Sequence, residues 1–221
     1  MRASELESPE RRPSHRGRVR VRIRTLDDLE GIQDLMRRVY PPPVYGPEAV
    51  WGQRNLLRHL AYFPAGQFVA EAPDGAIIGT ATSMRLDLAH ALAPHTWSEI
   101  TDRGSLSTHV PGGEAMYGVN IAVDPAWQNR RVGKALYEKR LELARQLGCK
   151  AFVAGARIPG YQKVAHRMTP EAYIAEVAAG KRVDATVSKQ MAVGFEVKGL
   201  LRDYAPDPQT MGHAALIVLW L

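Results

Sequence analysis

Apolar residues alternate with arginine in "RVRVRIR" (18–24), so Val19, Val21 and Ile23 share one face. That period of two predicts a strand with one buried side. The period then changes. In "TLDDLEGIQDLMRRVY", Leu29, Ile32, Leu35, Met36 and Val39 recur at steps of three and four, the stripe of an amphipathic helix. Thr25 as N-cap and Asp28 three residues on form a carboxylate version of the capping box. "PPP" at 41–43 ends the helix, because proline can neither donate nor fit inside it. A second helical pattern covers about 47–62, and "QFVAEAPDGAIIGTATSMRLD" reads as a hairpin turning at Asp74–Gly75.

Residues 88–113 carry neither period and read as loop-rich, with no assignable element. "AMYGVNIAV" (115–123) predicts a strand, 132–147 a helix, and "CKAFVAGAR" a further strand leading into the loop "IPGY". Thr169 and Pro170, as N-cap and first helical residue, open a helix to about 179. "GFEVKGLLRDY" and "HAALIVLWL" supply the last strands. The order β-α-α-β-β-β-α-β-α-β-β predicts an α+β, three-layer α/β/α domain: one mixed sheet covered by helices.

Charge changes the picture only at one end. The net charge is +6, and eight of the 29 basic residues lie within the first 24 positions, against three of the 23 acidic ones. The rest of the chain is close to neutral, so no basic binding face spreads over the domain and nucleic acid is not an expected partner. Residues 1–17 read as a basic, solvated tail, and 18–221 as the domain. Cys149 is the one cysteine, so no intrachain disulfide can form, which fits a reducing cytosol and a buried thiol. "AALIVLWL" is far shorter than the roughly 20 apolar residues of a membrane span, and the N-terminus lacks the apolar stretch of a secretory signal. The expected location is the cytoplasm. His90 and His95 share a loop without further ligands at metal-site spacing, so no metal is expected. Neither a Gly-x-Ser-x-Gly elbow nor a Gly-x-x-x-x-Gly-Lys-Ser/Thr loop occurs.

The chemistry concentrates in "VDPAWQNRRVGKALYEKRLELARQLG" (123–148), where a strand, an arginine-rich loop and a helix start follow one another. Amides before and within the first helical turn lack intrahelical partners and, with the helix dipole, attract an anion. Gly133 presents no Cβ to a ligand, and Arg130, Arg131 and Lys134 add charge. The competing reading of these residues is an ordinary solvated helix start.

"VDPAWQNRRVGKALYEKRLELARQLGCKAFVAG" resembles the acetyl-coenzyme A motif of the GNAT N-acetyltransferases, Gln/Arg-x-x-Gly-x-Gly/Ala. Gln128 and Gly133 match it, and Arg131 stands where the first glycine is usual. The likeness covers about residues 18–221. It implies the GNAT fold, with a mostly antiparallel sheet, and acetyl-CoA as co-substrate. A closer likeness, through "LSTH", "AMYGVNIAV", "GARIPGY", "MTPEAYIAEV" and "GFEVKGLLRDY", is to the acetyltransferase domain found fused to carbon–nitrogen hydrolase (nitrilase-like) domains.

By resemblance, an irregular fourth strand splays from the fifth and the pantetheine arm lies between them. Ile121, Ala122 and Val123 would then hold that arm, and Gln128, Asn129, Arg130, Arg131, Val132, Gly133, Lys134 and Ala135 the pyrophosphate. The implied reaction moves an acetyl group from a thioester to a primary amine of a small molecule or peptide, and a homodimer is compatible with it. An amine with a pKa near 10.4 must lose its proton first, at about 4.6 kcal/mol at neutral pH. Glu114 and His109, beside the start of the fourth strand, are the candidate bases. Asn120, a lone amide in an apolar run, serves either the fold or a substrate. Strict alternation would set it with Met116, Gly118 and Ala122, opposite Tyr117, Val119, Ile121 and Val123. Many members carry a tyrosine four residues before the "GF" pair to protonate the leaving thiolate. Here that position is Gln190, so Tyr161 and Tyr204 become the candidate acids. Arg157 and Tyr161 are the candidate acceptor contacts. The rival reading is a non-catalytic acyl-CoA sensor, or a nucleic-acid binder acting through the tail.

Overall fold

The structure, a computed structural model, describes residues 18–221; the expected tail at 1–17, with any nucleic-acid role, lies outside the described residues. Strands β1 (Arg20–Ile23), β2 (Gln67–Glu71), β3 (Ile77–Leu86), β4 (Ala115–Val123), β5 (Ala151–Arg157), β6 (Glu196–Leu201) and β7 (Ala214–Trp220) form one sheet in the order β1-β2-β3-β4-β5-β7-β6. Neighbours are antiparallel except β4 and β5, which run parallel. A parallel pair needs a crossover, and helix α5 (Val132–Gln146) provides it.

One face of the sheet packs on α1 (Leu29–Val39) and α2 (Gln53–Tyr62), burying Ile32, Leu35, Met36 and Leu56 against Met84, Tyr117 and Val153. The other face packs on α5 and α6 (Pro170–Ala178), where Ala144, Tyr173 and Ile174 meet Met116, Phe152 and Ile217. The expected three-layer, mostly antiparallel architecture is therefore the observed one. The Thr25–Asp28 capping box is present, and Arg22 grips the same Asp28 carboxylate.

The segment that reads as loop-rich holds two further helices, α3 (Leu88–Leu92) and α4 (Trp97–Thr101), and α7 (Val187–Met191) precedes β6. Each has five residues, too few to display a 3.6-residue period. Thr96 and Glu99 start α4 with a reciprocal capping box.

Between the sheet and α2 lies a buried polar pair. His59 donates from Nε2 to the Gly104 carbonyl at 2.7 Å, which leaves Nδ1 as the acceptor facing the Arg24 guanidinium at 3.4 Å. Burial holds the His59 pKa at about 3, against 6.5 for a free imidazole. The unfolded chain therefore binds a proton that the folded one refuses. The resulting stability is complete above about pH 6.5 and falls as pH drops toward 3, at about 1.4 kcal/mol per pH unit. His95 and His109 are also lowered, so the difference between variants isolates His59. Urea unfolding between pH 7 and 4.5 should show a flatter slope for His59→Gln than for the parent; parallel slopes would mean that His59 is protonated in the fold.

Candidate active site

β4 and β5 pair only from Ala115↔Ala151 to Gly118↔Ala154. Beyond that point β4 continues to Val123 along β3, and β5 continues to Arg157 along β7, so a gap opens between their C-terminal halves. The cause is one surplus residue. Against β3, Ser83 pairs with Gly118 and Thr82 with Asn120, leaving Val119 as a bulge.

The bulge corrects the strict alternation. Tyr117 and Val119 face α1 and α2, but Ile121 and Val123 pack on the α5 side beside Trp127, Val132 and Leu136. Asn120 instead reaches the α1 side, where its amide donates to the Tyr40 hydroxyl at 3.1 Å. The Trp97 indole caps the Val119 carbonyl at 3.2 Å, and Arg140 donates to the Asn120 carbonyl at 3.3 Å.

Beyond β4, Asn129 and Arg131 take left-handed backbone conformations (φ 61° and 65°), and Arg131 caps α5. The left-handed φ explains why glycine is usual at the Arg131 position. Residues 128–131 are exposed. The Gln128 amide folds back to the Val123 carbonyl at 3.4 Å, and the Arg130 guanidinium lies 5.2 Å from the centre of the Trp127 ring. Lys134 leans toward Glu138 at 3.7 Å, and Ala135 makes the first helical bond back to Arg131. The amides of Val132, Gly133 and Lys134 thus form the open first turn beside the gap.

On the α1 side, Tyr204 lies over Gly155, the first β5 residue past the last β4 pair; a Cβ there would sit 2.6 Å from the hydroxyl. That hydroxyl is 2.9 Å from the Tyr117 hydroxyl, which is 2.7 Å from Nε2 of His95. Burial pushes the Tyr204 hydroxyl up to about 12 and Tyr117 well above its usual range, while it lowers His95. At the end of β5, Arg157 pairs with Asp207 at 2.5 Å and donates to the Tyr45 hydroxyl and to Gln209. Beside it, Tyr45, Glu48, Asp207, Pro208 and Met211 line an open cleft of 620 Å³.

On the α5 side the polar groups are incompletely matched. Arg140 is 2% exposed and faces the Tyr137 and Phe152 rings at 4.4 and 5.0 Å, with no ion-pair partner among the described residues. Gln190, at the position of the family's tyrosine, donates to the Tyr137 hydroxyl at 3.2 Å. Arg140 Nε and Gln190 Oε1 here, and Asn120 Oδ1 on the α1 side, are buried without a hydrogen-bond partner. Unmatched donors and acceptors of both kinds, linked along the gap, suit an amide-bearing arm such as that of coenzyme A.

Not all candidates gather here. His109 accepts the Arg85 amide proton at 3.0 Å and stacks on Phe63, and Glu114 pairs with Lys150. Both stand where β4 begins, whereas the gap opens past Gly118, roughly 15 Å along the strand at about 3.3 Å per residue. We expect Glu114→Gln to change turnover by less than about twofold, because the ion pair it breaks is exposed and remote. A loss of tenfold or more in steady-state assays would restore Glu114 as a base. Tyr161 is buried, and its hydroxyl donates to the Met168 carbonyl. Asn120, Tyr204 and Arg157 do come together. His95, Trp97, Tyr117 and Tyr40 join them without having been marked by any motif.

A gap between diverging parallel strands, beside a helix start with a left-handed cap, defines an acyl-CoA site. Residues 29–168 match the model of the Acetyltransferase (GNAT) family, and this chain belongs to that family. Acyl-CoA is the co-substrate that membership implies. Two similar proteins are from Bacillus subtilis (strain 168). Probable hydrolase YhcX is 36% identical over 193 residues, covering 87% of this chain and 36% of its own length, so the chain spans about a third of that relative. Uncharacterized N-acetyltransferase YkwB is 30% identical over 197 residues, covering 89% of this chain and 86% of its own length. Among solved structures, the GphF GNAT-like decarboxylase in complex with isobutyryl-CoA is 25% identical with a TM-score of 0.74, covering 91% of this chain and 98% of its own. No helix among the described residues is long and apolar enough to cross a membrane, and no group of three or more metal-ligating side chains occurs among them.

Proposed function

We propose that this chain is an acetyl-CoA-dependent N-acetyltransferase acting on a primary amine of a small molecule or peptide. One observation carries the proposal: the bulge at Val119 opens the β4–β5 gap directly beside the first turn of α5. The bound thioester supplies the activated acyl carbon, to which the amine nitrogen bonds as the carbon–sulfur bond breaks and one nitrogen proton goes to sulfur. The chain's own groups then divide the work. The amides of Val132, Gly133 and Lys134, with Arg130 and Arg131, hold the pyrophosphate. Backbone groups of Ile121, Ala122 and Val123 hold the pantetheine arm, and the buried, unmatched atoms of Asn120, Arg140 and Gln190 find partners on it. Tyr204 at the head of the gap is the group nearest the reacting centre. The acceptor enters by the cleft at Tyr45 and Arg157, where Asp207 is already paired with Arg157 and Glu48 is the carboxylate left to favour a cationic amine with an apolar body. The match to about a third of a probable hydrolase supports kinship with the acetyltransferase part of hydrolase fusions.

A second reading is decarboxylation of an acyl-CoA that bears a free carboxylate, favoured by the likeness to GphF. One experiment separates the readings: acetyl-CoA and malonyl-CoA are each incubated with and without a panel of amines, with thiol and carbon dioxide followed together. Amine-dependent thiol release supports acetyl transfer, and amine-independent carbon dioxide supports decarboxylation. Tight cofactor binding with neither product would leave a binding module.

A further inference from the structure

The α1 side of the gap carries three titratable groups in a line that no motif marks: His95 from the α3–α4 connection, Tyr117 from β4 and Tyr204 from the β6–β7 connection. The polarity of the line follows from its ends. Nδ1 of His95 is 2.7 Å from the Ala93 carbonyl, which can only accept, so the proton of the neutral ring sits on Nδ1. Nε2 is therefore a free lone pair, and the Tyr117 hydroxyl must donate to it at 2.7 Å. Having spent its proton there, the Tyr117 oxygen can only accept from Tyr204 at 2.9 Å. The Tyr204 oxygen also takes the Gly155 amide and keeps its second lone pair at the head of the gap, where the strands part. Both hydroxyl hydrogen bonds point from the gap toward the imidazole.

We propose that His95 is the terminal proton acceptor for the acceptor amine, reached through Tyr204 and Tyr117. The inference rests on the N-acetyltransferase reading above. In the step, the ammonium nitrogen gives a proton to the Tyr204 oxygen as Tyr204 gives its own to Tyr117 and Tyr117 gives its own to His95 Nε2. One N–H bond breaks at the amine and one forms at the imidazole. Each tyrosine loses one proton and gains one, so neither becomes a phenolate. That matters because burial makes a free phenolate at either position costly. The amine is then neutral, as attack on a thioester requires, and the imidazolium returns its proton to solvent from its half-buried position.

The groups that bear on the ring from neighbouring elements have opposing signs. His90 on α3 disfavours the imidazolium, Glu99 on α4 favours it, and the two tyrosines are neutral. With burial added, the free base is favoured at neutral pH, which is the state a proton acceptor needs.

The test uses the full chain with an amine identified from the panel above. The parent should show kcat/KM falling as pH drops through the titration of one group. His95→Gln and Tyr117→Phe should each lose roughly 10² in kcat and also lose that acid limb, with calorimetric affinity for acetyl-CoA unchanged. Tyr117→Phe is informative because it leaves the imidazole in place and removes only the middle hydroxyl. A second readout needs no turnover: nitrogen-15 spectra of the histidine rings should assign His95 to the Nδ1–H tautomer, and its titration should shift in Tyr117→Phe. An active parent whose two variants keep both the acid limb and at least half the rate would overturn the relay while leaving acetyl transfer intact. So would an Nε2–H tautomer of His95, or a titration unmoved by Tyr117→Phe, even if every amine in the panel proved inert.

Discussion

Gly133→Glu should bind acetyl-CoA at least about tenfold more weakly than the parent, a loss of about 1.4 kcal/mol. The folded protein has room for the change. A Cβ on Gly133 meets only Val123, at an ordinary 3.7 Å, and a carboxylate in the first turn of α5 suits the helix dipole. Thermal stability should therefore hold or rise slightly, and the loss should appear only with ligand, when the side chain crowds and repels the phosphates. Arg131→Gly makes the matching control. It removes one charge but releases a left-handed residue (φ 65°) from a cost of about 1 kcal/mol, so it should melt higher and still bind. Calorimetric titration and thermal melts of the two variants decide the matter. Unchanged affinity in a well-folded Gly133→Glu would remove this turn as the phosphate cradle.

Gly155→Ala should lower turnover about tenfold or more and cost about 1–3 kcal/mol of stability. The added carbon would lie 2.3 Å from the Tyr204 ring, inside any real contact distance. The ring cannot simply swing away, because the Tyr204 carbonyl is held by the Trp97 amide at 2.7 Å and its hydroxyl by Tyr117. Either the ring leaves the head of the gap or β5 shifts, and both break the hydroxyl pair. The pyrophosphate turn lies on the other side of the sheet, so acetyl-CoA affinity should stay within a few-fold. A variant with parental kcat and melting temperature would show that Tyr204 has other positions available.

Much of the fold was legible because its elements are long and periodic. The Leu29–Val39 stripe repeats its period several times, and the crossover from β4 through α5 to β5 has strong start and stop signals; "RVRVRIR" yields the four-residue edge strand β1, whose Ile23 is half exposed and not buried as the alternation predicts. Five-residue helices such as α3 and α4 show at most one repeat, which is why 88–113 looked structureless. The bulge at Val119 was hidden for a different reason: both faces of β4 are apolar there, so a slipped alternation leaves no mark in the pattern. The family likeness supplied the expectation of an irregular strand; periodicity argued against it. Within the site, the pyrophosphate turn was readable because its parts are consecutive. His95, Tyr117 and Tyr204 are 22 and 87 residues apart, and only the pairing of strands brings them together. Glu114 and His109 were drawn in by nearness along the chain to β4, but strand direction sends them to its far end.

The sheet order β5-β7-β6 has a consequence for how the protein comes into being on the ribosome. β7 comes last of the seven strands along the chain, yet it is seated inside the sheet, paired with β5 along all seven residues on one side and with β6 on the other. Until residues 214–220 have cleared the exit tunnel, β5 has a partner only at its first four residues, through β4. Until then β6, whose one strand neighbour is β7, cannot join the sheet, and the connection that carries Tyr204 is not held on that side. A nascent chain therefore carries the pyrophosphate turn of α5 well before it owns a usable cleft, and cofactor capture must wait for β7.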